Sequence, residues 1–367
     1  MMKIHMVGGF LGSGKTTAIS AAAKLLVERQ KRVGIITNDQ GKHLVDTAFF
    51  RAQDFPAMEV TGGCFCCHFN DLSDQIEKIA SEYNPDVIFA ESVGSCADIV
   101  ATVVKPLREL RSDLGEAASY SVFADVRLLE RYLNGEEMPF SEDVCYIFAK
   151  QIEEASILVI NKIDLLDPQR VKQVAALAAE RYPQAALLLQ NSLDADNIAQ
   201  WVSLIEGELK TQDLHSLEID YDRYANGEQE MAWIDKHYRF DIATPAMRDA
   251  LAEMVIAIAR MVDEERRIAG HLKFHLQNEK DSIKISAPTM QVMDAAFAAQ
   301  VHTQIAGLDE GNVEMWVNAL LVGKVDHLEK LIGSVVQETA EHTGMGVMEL
   351  ESFTRTPGYP KPTHRIE

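Results

Sequence analysis

Basic residues are in short supply: 35 lysines and arginines stand against 56 acidic residues, a formal charge of -21. A field of that sign repels polyanions at long range, which excludes a general nucleic-acid binder and attraction to an anionic membrane surface. No apolar run is long enough to cross a bilayer, and Met1 to Val7 continues into a glycine motif without a signal-peptide layout. A soluble, cytoplasmic protein is therefore expected. Cysteine is also scarce. Five cannot staple 367 residues, and an odd count leaves one outside any disulfide scheme. Their placement is informative, because Cys64, Cys66 and Cys67 are bunched while Cys96 and Cys145 stand alone. Apolar residues are plentiful: 47% of the chain is hydrophobic, enough for a sizeable core, and the length favours two domains.

To about Ile205, short Val- and Ile-rich runs alternate with helical patterns, the rhythm of an α/β fold whose mostly parallel sheet carries helices on both faces. Strands are expected at Lys3 to Val7, Arg32 to Thr37, Asp86 to Ala90, Tyr120 to Ala124, Ile157 to Asn161 and Ala185 to Leu189. Helices fit Lys15 to Glu28, Asp71 to Tyr83, Val126 to Leu133, Val144 to Glu154 and Gln169 to Tyr182. Residues 206–236 turn acidic and lose their period, which marks a linker. Residues 237–345 then read as a smaller α+β domain of ferredoxin-like pattern, and 346–367, with Pro357, Pro360 and Pro362, as an extended, partly mobile tail. His271 and His275 share a strand face there with Lys273 and read as surface histidines, with a second, weak metal site as the alternative.

Gly9-Phe10-Leu11-Gly12-Ser13-Gly14-Lys15-Thr16 fits the P-loop pattern and lies between an expected strand and an expected helix. Gly12, Ser13 and Gly14 let backbone N–H groups curl around phosphate oxygens, Lys15 adds charge toward the β and γ phosphates, and the Thr16 hydroxyl can ligate Mg²⁺. Asn161-Lys162-Ile163-Asp164 follows a later strand. A carboxylate at Asp164 can accept from both guanine N1–H and the exocyclic amine, a donor pair that adenine lacks, so GTP is favoured over ATP. Asn191-Ser192 could close over the base. Asn38-Asp39 and Glu91-Ser92-Val93-Gly94 lie at strand ends where ligands of an open α/β sheet gather. Asp39 and Glu91 are candidates for holding Mg²⁺ and orienting the attacking water, in either order, and Gly94 for offering its N–H to the γ-phosphate. A helix-capping role stays open for each acid, and capping is the preferred reading of Asp125.

Gly62-Gly63-Cys64-Phe65-Cys66-Cys67-His68 does not have zinc-finger spacing. It offers three thiolates and leaves one coordination position for His68, water or a client's ligand, the openness that ligand exchange requires. A buried thiol cluster and a redox pair are the alternatives. Cys96 and Cys145 read as small buried hydrophobes.

In order along the chain, Gly9 to Thr17, Glu59 followed by Gly63-Cys64-Phe65-Cys66-Cys67, Glu91-Ser92-Val93-Gly94, and Asn161-Lys162-Ile163-Asp164 together resemble the CobW-type metallochaperone GTPases. The Asn38-Asp39 pair looks more like the related urease nickel-accessory GTPases. The resemblance implies a SIMIBI-class GTPase domain over residues 1–205, with GTP or GDP and Mg²⁺ held through the P-loop, Thr17 included. It further implies slow hydrolysis, zinc or cobalt at Cys64, Cys66 and Cys67, and delivery to a client metalloenzyme; a nucleotide- or metal-dependent homodimer is kept as a candidate assembly, the sequence itself leaving the oligomeric state open. A GTPase that loads or remodels a cofactor-dependent partner, such as a corrinoid enzyme, with a structural cysteine cluster, is the alternative function.

Overall fold

A computed structural model describes residues 2–38, 45–207, 215–264, 269–287 and 295–367. Two compact units are present: most of the chain through Gly227 together with Tyr359–Glu367, and Glu228–Gly358.

The first unit contains β1 (Lys3–Gly9), α1 (Lys15–Glu28), β2 (Val33–Asn38), α2 (Val45–Arg51), β3 (Ala57–Val60), α3 (Phe69–Tyr83), β4 (Val87–Glu91), α4 (Lys105–Leu110), β5 (Glu116–Asp125), α5 (Val126–Leu133), α6 (Glu142–Glu153), β6 (Ile157–Asn161), α7 (Pro168–Arg181), β7 (Ala186–Gln190) and α8 (Ala195–Glu206). Seven strands pair in the order β3-β2-β4-β1-β5-β6-β7, every pair parallel. Parallel strands are covered on both faces, which is why β4 (VIFAE) and β6 (ILVIN) are apolar up to their last residue and buried throughout, rather than alternating patterns. One face packs Val7, Phe89, Phe123 and Val159 against Ala22 and Leu26 of α1 and Trp201 of α8. Side-chain caps start the helices where the strands must hand over: Ser141 accepts from Val144 N–H, Asp167 precedes Pro168 and accepts from Gln169 N–H, and Asp194 accepts from Asn197 N–H.

The second unit begins with the end of α9 (Tyr221–Gln229) and contains β8 (Met231–Ile242), α10 (Pro245–Glu264), β9 (Ala269–Gln277), β10 (Ser282–Ser286), α11 (Ala295–Ile305), β11 (Gly311–Val322), α12 (Val325–Thr343) and β12 (Gly346–Arg355). Its antiparallel sheet runs β10-β9-β11-β8-β12. Because β8 and β9 both pair antiparallel with β11, β8-α10-β9 is a split βαβ unit, the element from which ferredoxin-like folds are built. Alternate residues Ile234, Tyr238 and Phe240 of β8 and Val313, Met315 and Val317 of β11 face Leu251, Val255 and Leu328 of the helices.

Three boundaries differ from expectation. The acidic segment 206–236 is not a plain linker, since α9 and the first six residues of β8 fall within it; those strand residues are buried on both faces, so no alternation marks them. Residues 346–355 form the edge strand β12, whose exposed charges mask its period. The rest of the tail is bonded to the first unit, as described below. His275 is buried, not surface: it accepts or donates at Ser282 Oγ (2.8 Å) and stacks on Trp316 at 5.1 Å. The His271 side chain lies outside the described residues. No described helix is long and apolar enough to cross a membrane.

Glu154, just after α6, is buried and accepts the Val100 N–H at 3.1 Å. Burial pushes its carboxyl up from the usual 4.5 to about 8. The folded chain therefore retains a proton that the unfolded chain releases above 4.5, and stability falls as pH rises through the window from 4.5 to about 8. Glu154→Gln keeps an acceptor for Val100 and removes the titration. Urea unfolding across this window should show the native chain losing about 1.4 kcal/mol per pH unit relative to the variant. Parallel profiles for the two chains would contradict this account.

Candidate nucleotide and metal site

All strands of the seven-stranded sheet run in one direction, so the segments leaving β1, β2, β4, β6 and β7 emerge on a single edge. Leaving β1, the glycine loop needs conformations that only glycine adopts without strain. Gly14, the residue before α1, has φ 94°, and a Cβ there would lie 2.4 Å from Asn161 Nδ2. Lys15 is buried and donates its ammonium to the carbonyls of Gly9 (2.7 Å) and Phe10 (3.3 Å), inside the loop it would share with a phosphate. The Thr16 hydroxyl donates to Glu91 Oε1 at 2.9 Å. These two groups reach each other because β4 is the immediate neighbour of β1, with Glu91 in register with Val7. A hydroxyl and a carboxylate converging beside a phosphate loop could hold a divalent cation with oxygen ligands. Thr17, on the first turn of α1, is exposed.

Gly94 lies directly under the loop: a Cβ on it would meet Leu11 Cδ2 at 2.4 Å, and its carbonyl accepts from Gln151 Nε2 at 2.9 Å. At the other side of β1, Asn161 donates from Nδ2 to the Ser13 carbonyl (2.7 Å) while its Oδ1 accepts from Ser192 N–H (3.1 Å) and Oγ (2.9 Å). One buried amide thus locks the phosphate loop to both base-side segments. Lys162 takes a left-handed φ of 62° and pairs with Asp125 at 3.1 Å. Asp125 also caps α5 through Arg127 N–H, the capping role expected for it, and is held ionised, against its burial, by Arg127 and Lys162. Asp164 stands exposed in the turn that follows. Asn191 differs from the rest of the group: its side chain accepts from Leu193 N–H at 3.0 Å and closes its own turn.

Between β3 and α3, the three cysteines form a sulfur nest. Cys64 and Cys66 are buried and Cys67 half-buried, with Sγ–Sγ separations of 2.7 Å (64–66), 3.5 Å (64–67) and 3.7 Å (66–67). Hydrogen bonding with Cys66 and Cys67 holds the Cys64 thiol well below its ordinary value, while the contact with Cys64 pushes Cys67 up to about 11. Such a nest presents three thiols that can give up protons to a soft metal ion. His68 is not part of it: Nδ1 engages Asp71 at 2.8 Å and the ring lies against Gly63.

Two features of the nest were not read from the sequence. Asn38, the last residue of β2, is buried and pins the loop with three hydrogen bonds: Nδ2 donates to the carbonyls of Val60 (3.1 Å) and Gly63 (2.7 Å), and Oδ1 accepts the Phe65 N–H (2.8 Å). Its signal is the Asn38-Asp39 pair at the strand end; Asp39 lies outside the described residues. The second feature is the chain's own end, expected to be mobile. Lys361 N–H donates to Cys67 Sγ (3.2 Å), Thr363 bonds the carbonyls of Cys66 (2.8 Å) and Cys67 (3.0 Å), and Arg365 reaches buried Asp98 (2.8 Å).

Comparison with known proteins gives the same picture. A family model described as CobW/HypB/UreG, nucleotide-binding domain, matches residues 3–188, half of the chain. Zinc-regulated GTPase metalloprotein activator 1 of Dictyostelium discoideum is 24% identical over 216 residues, 51% of this chain and 45% of that protein. Zinc chaperone CobW of a Sinorhizobium species is 26% identical over 211 residues, covering 50% and 57%, and zinc chaperone YeiR of Escherichia coli K12 is 29% identical over 178 residues, covering 46% and 49%. The match thus spans about half the length of each of these curated relatives. With the phosphate loop, the Asn161 motif and the sulfur nest all inside or bordering the matched segment, this chain belongs to the CobW/HypB/UreG family.

Proposed function

We propose that the chain is a GTP-binding, slowly GTP-hydrolysing metallochaperone that carries zinc or cobalt on Cys64, Cys66 and Cys67 and delivers it to a client metalloenzyme. The observation that carries this reading is the Asn38 clasp, which joins a strand end on the nucleotide edge to the sulfur nest. Zinc is the first candidate, because the nest is thiolate-rich and the relatives CobW and YeiR are named zinc chaperones.

In this reading Lys15 exchanges its loop carbonyls for the β and γ phosphates, and the backbone of Gly12, Ser13 and Gly14 lines the same cradle, with Thr17 beside it. Thr16 and Glu91 would hold Mg²⁺, which supplies charge neutralisation at the phosphate oxygens. Gly94 offers its N–H toward the γ-phosphate, while Glu91 or Asp39 orients the attacking water. Asn161 positions the loop, Lys162 is fixed by Asp125, Asp164 accepts from guanine, and Asn191-Ser192 closes the base side. Loss of the γ-phosphate relaxes the segments at the ends of β2 and β4, and the nest with them.

Asp164→Asn removes the charged acceptor for guanine. GTP affinity should drop by about 2 kcal/mol, roughly thirtyfold, with weak ATP hydrolysis unchanged. Equal turnover of GTP and ATP by the native chain would refute the assignment.

Asn38→Ala removes three bonds from the nest without touching a sulfur. In anaerobic Zn²⁺ titrations, affinity should fall by about 10- to 100-fold, the usual cost of losing a residue that orients metal ligands. The difference in affinity between chains loaded with GTP analogue and with GDP should shrink as well. Native Zn²⁺ affinity that is identical with GTP analogue, GDP and no nucleotide would end the metallochaperone reading.

A further inference from the structure

The segment Tyr359–Glu367 follows β12 in the chain, yet it belongs to the first unit and runs along the cysteine loop. Pro360 and Pro362 have no N–H to offer, and the two donors that alternate with them both turn to the nest. Lys361 N–H bonds Cys67 Sγ (3.2 Å) and Thr363 N–H bonds the Cys66 carbonyl (2.8 Å), while Thr363 Oγ1 donates to the Cys67 carbonyl (3.0 Å). Beyond the nest the segment is anchored again. The His364 ring meets Phe69 edge-on at 5.2 Å, Arg365 donates from Nε to Asp98 Oδ2 (2.8 Å) and from Nη2 to the Leu217 carbonyl (2.6 Å), and Ile366 N–H donates to the Ala101 carbonyl (2.9 Å). Cys64 and Cys66 are buried and Cys67 half-buried, so the segment touches the one sulfur of the nest that has an open side.

We propose that Tyr359–Glu367 is a detachable strap that closes the sulfur nest, latched by Arg365 on Asp98, and that metal ions enter and leave the nest while it is lifted. The proposal rests on the metallochaperone reading for its cargo and adds a gate to the same site. The contacts suit detachment. Within the strap only Pro360 is buried, whereas Lys361, Thr363 and Glu367 are exposed, so it is held by hydrogen bonds and an ion pair rather than by an apolar core. A segment held in that way opens locally, without unfolding the rest. The latch is the strongest single contact, because a hydrogen bond to a charged partner is worth more than a neutral one. Tyr221 donates to the same Asp98 oxygen at 2.7 Å, so this buried carboxylate keeps a partner when Arg365 leaves. Pro360 and Pro362 also restrict the lifted strap, which reduces the entropy lost when it docks again.

Amide hydrogen exchange on the native, metal-free chain tests the opening without any variant. The Lys361, Thr363 and Ile366 amides should exchange together and faster than those of β1, a central strand of the sheet. Exchange no faster than that of β1 overturns the proposal, since the strap would then open only with the whole fold. Arg365→Ala tests the latch. It should raise the rate of Cys67 alkylation by iodoacetamide, followed by mass spectrometry in the metal-free chain, about tenfold, and the rate of Zn²⁺ transfer to a chromophoric chelator by a similar factor. Ending the chain after Gly358 should raise both rates further, and a synthetic peptide of residues 359–367 added in trans should restore protection. Native alkylation rates in both variants overturn the strap. The two levels separate cleanly: faster alkylation in Arg365→Ala with no Zn²⁺ binding by the native chain leaves the strap standing and sinks the metallochaperone reading. Zn²⁺ that binds the native chain and leaves Arg365→Ala at the native rate sinks the gate alone.

Discussion

The interaction on which the rest depends is the clasp between the Asn38 side chain and the cysteine loop. Strands of a sheet lie about 4.8 Å apart, so three spacings place β3 about 14 Å from β1, the strand that carries the phosphate loop. No side chain on the glycine loop spans that distance. One route from the nucleotide edge to the sulfur nest runs along the ends of β4 and β2. Thr16 to Glu91 is the first step, and Asn38 to Val60, Gly63 and Phe65 is the last. Asparagine suits the position because one amide both donates and accepts, satisfying two carbonyls and an N–H in a place with little water. An aspartate at 38 could only accept, and would set its charge against the two carbonyls.

The base side is organised by the same device. Asn161 uses its amide to donate to the phosphate loop and to accept from Ser192, so the loop and the turn after β7 are fixed by one buried side chain. The sheet thus carries a bridging asparagine at the ends of two strands, β2 and β6, on opposite sides of β1. Each converts a strand end, which is rigid, into a support for a loop, which is not. On the metal side the chain terminus adds further support, because Lys361 and Thr363 satisfy a sulfur and two carbonyls of the nest.

The parallel sheet, the phosphate loop and the three-cysteine motif were legible in the sequence because each is local: a continuous apolar run, a glycine spacing, a cluster within four positions. What was missed is long-range. Thr363 is nearly 300 residues beyond Cys67, and nothing in its own neighbourhood signals a partner. The acidic stretch 206–236 failed for another reason. Tyr224 anchors α9 by accepting Ala97 N–H, and Tyr221 donates to buried Asp98, so two aromatic residues secure a helix that composition alone describes as solvated. His68 was legible as a candidate ligand by proximity, and its Nδ1 engages Asp71, one helical turn on.

The energy available at the clasp decides what kind of switch it can drive. Three hydrogen bonds contribute about 0.5–1.5 kcal/mol each, a few kcal/mol together. Coupling of about 1–3 kcal/mol changes an affinity roughly 5- to 150-fold, whereas inverting an equilibrium from 1:99 to 99:1 takes about 5.5 kcal/mol. The clasp therefore suits a graded change from holding to releasing rather than an all-or-none one. Linkage is reciprocal, so a nucleotide state that tightens the nest is itself tightened by the metal to the same factor. Under the proposed function, hydrolysis would supply the direction that a reversible linkage lacks. At an intrinsic rate on the order of 10⁻⁴ to 10⁻² s⁻¹, a loaded state persists for about 10² to 10⁴ s. On the same proposal, a client at about 1 µM, meeting the chain at about 10⁵ to 10⁷ M⁻¹s⁻¹, would be encountered in about 0.1–10 s. Slow turnover therefore leaves time for many encounters before the grip relaxes.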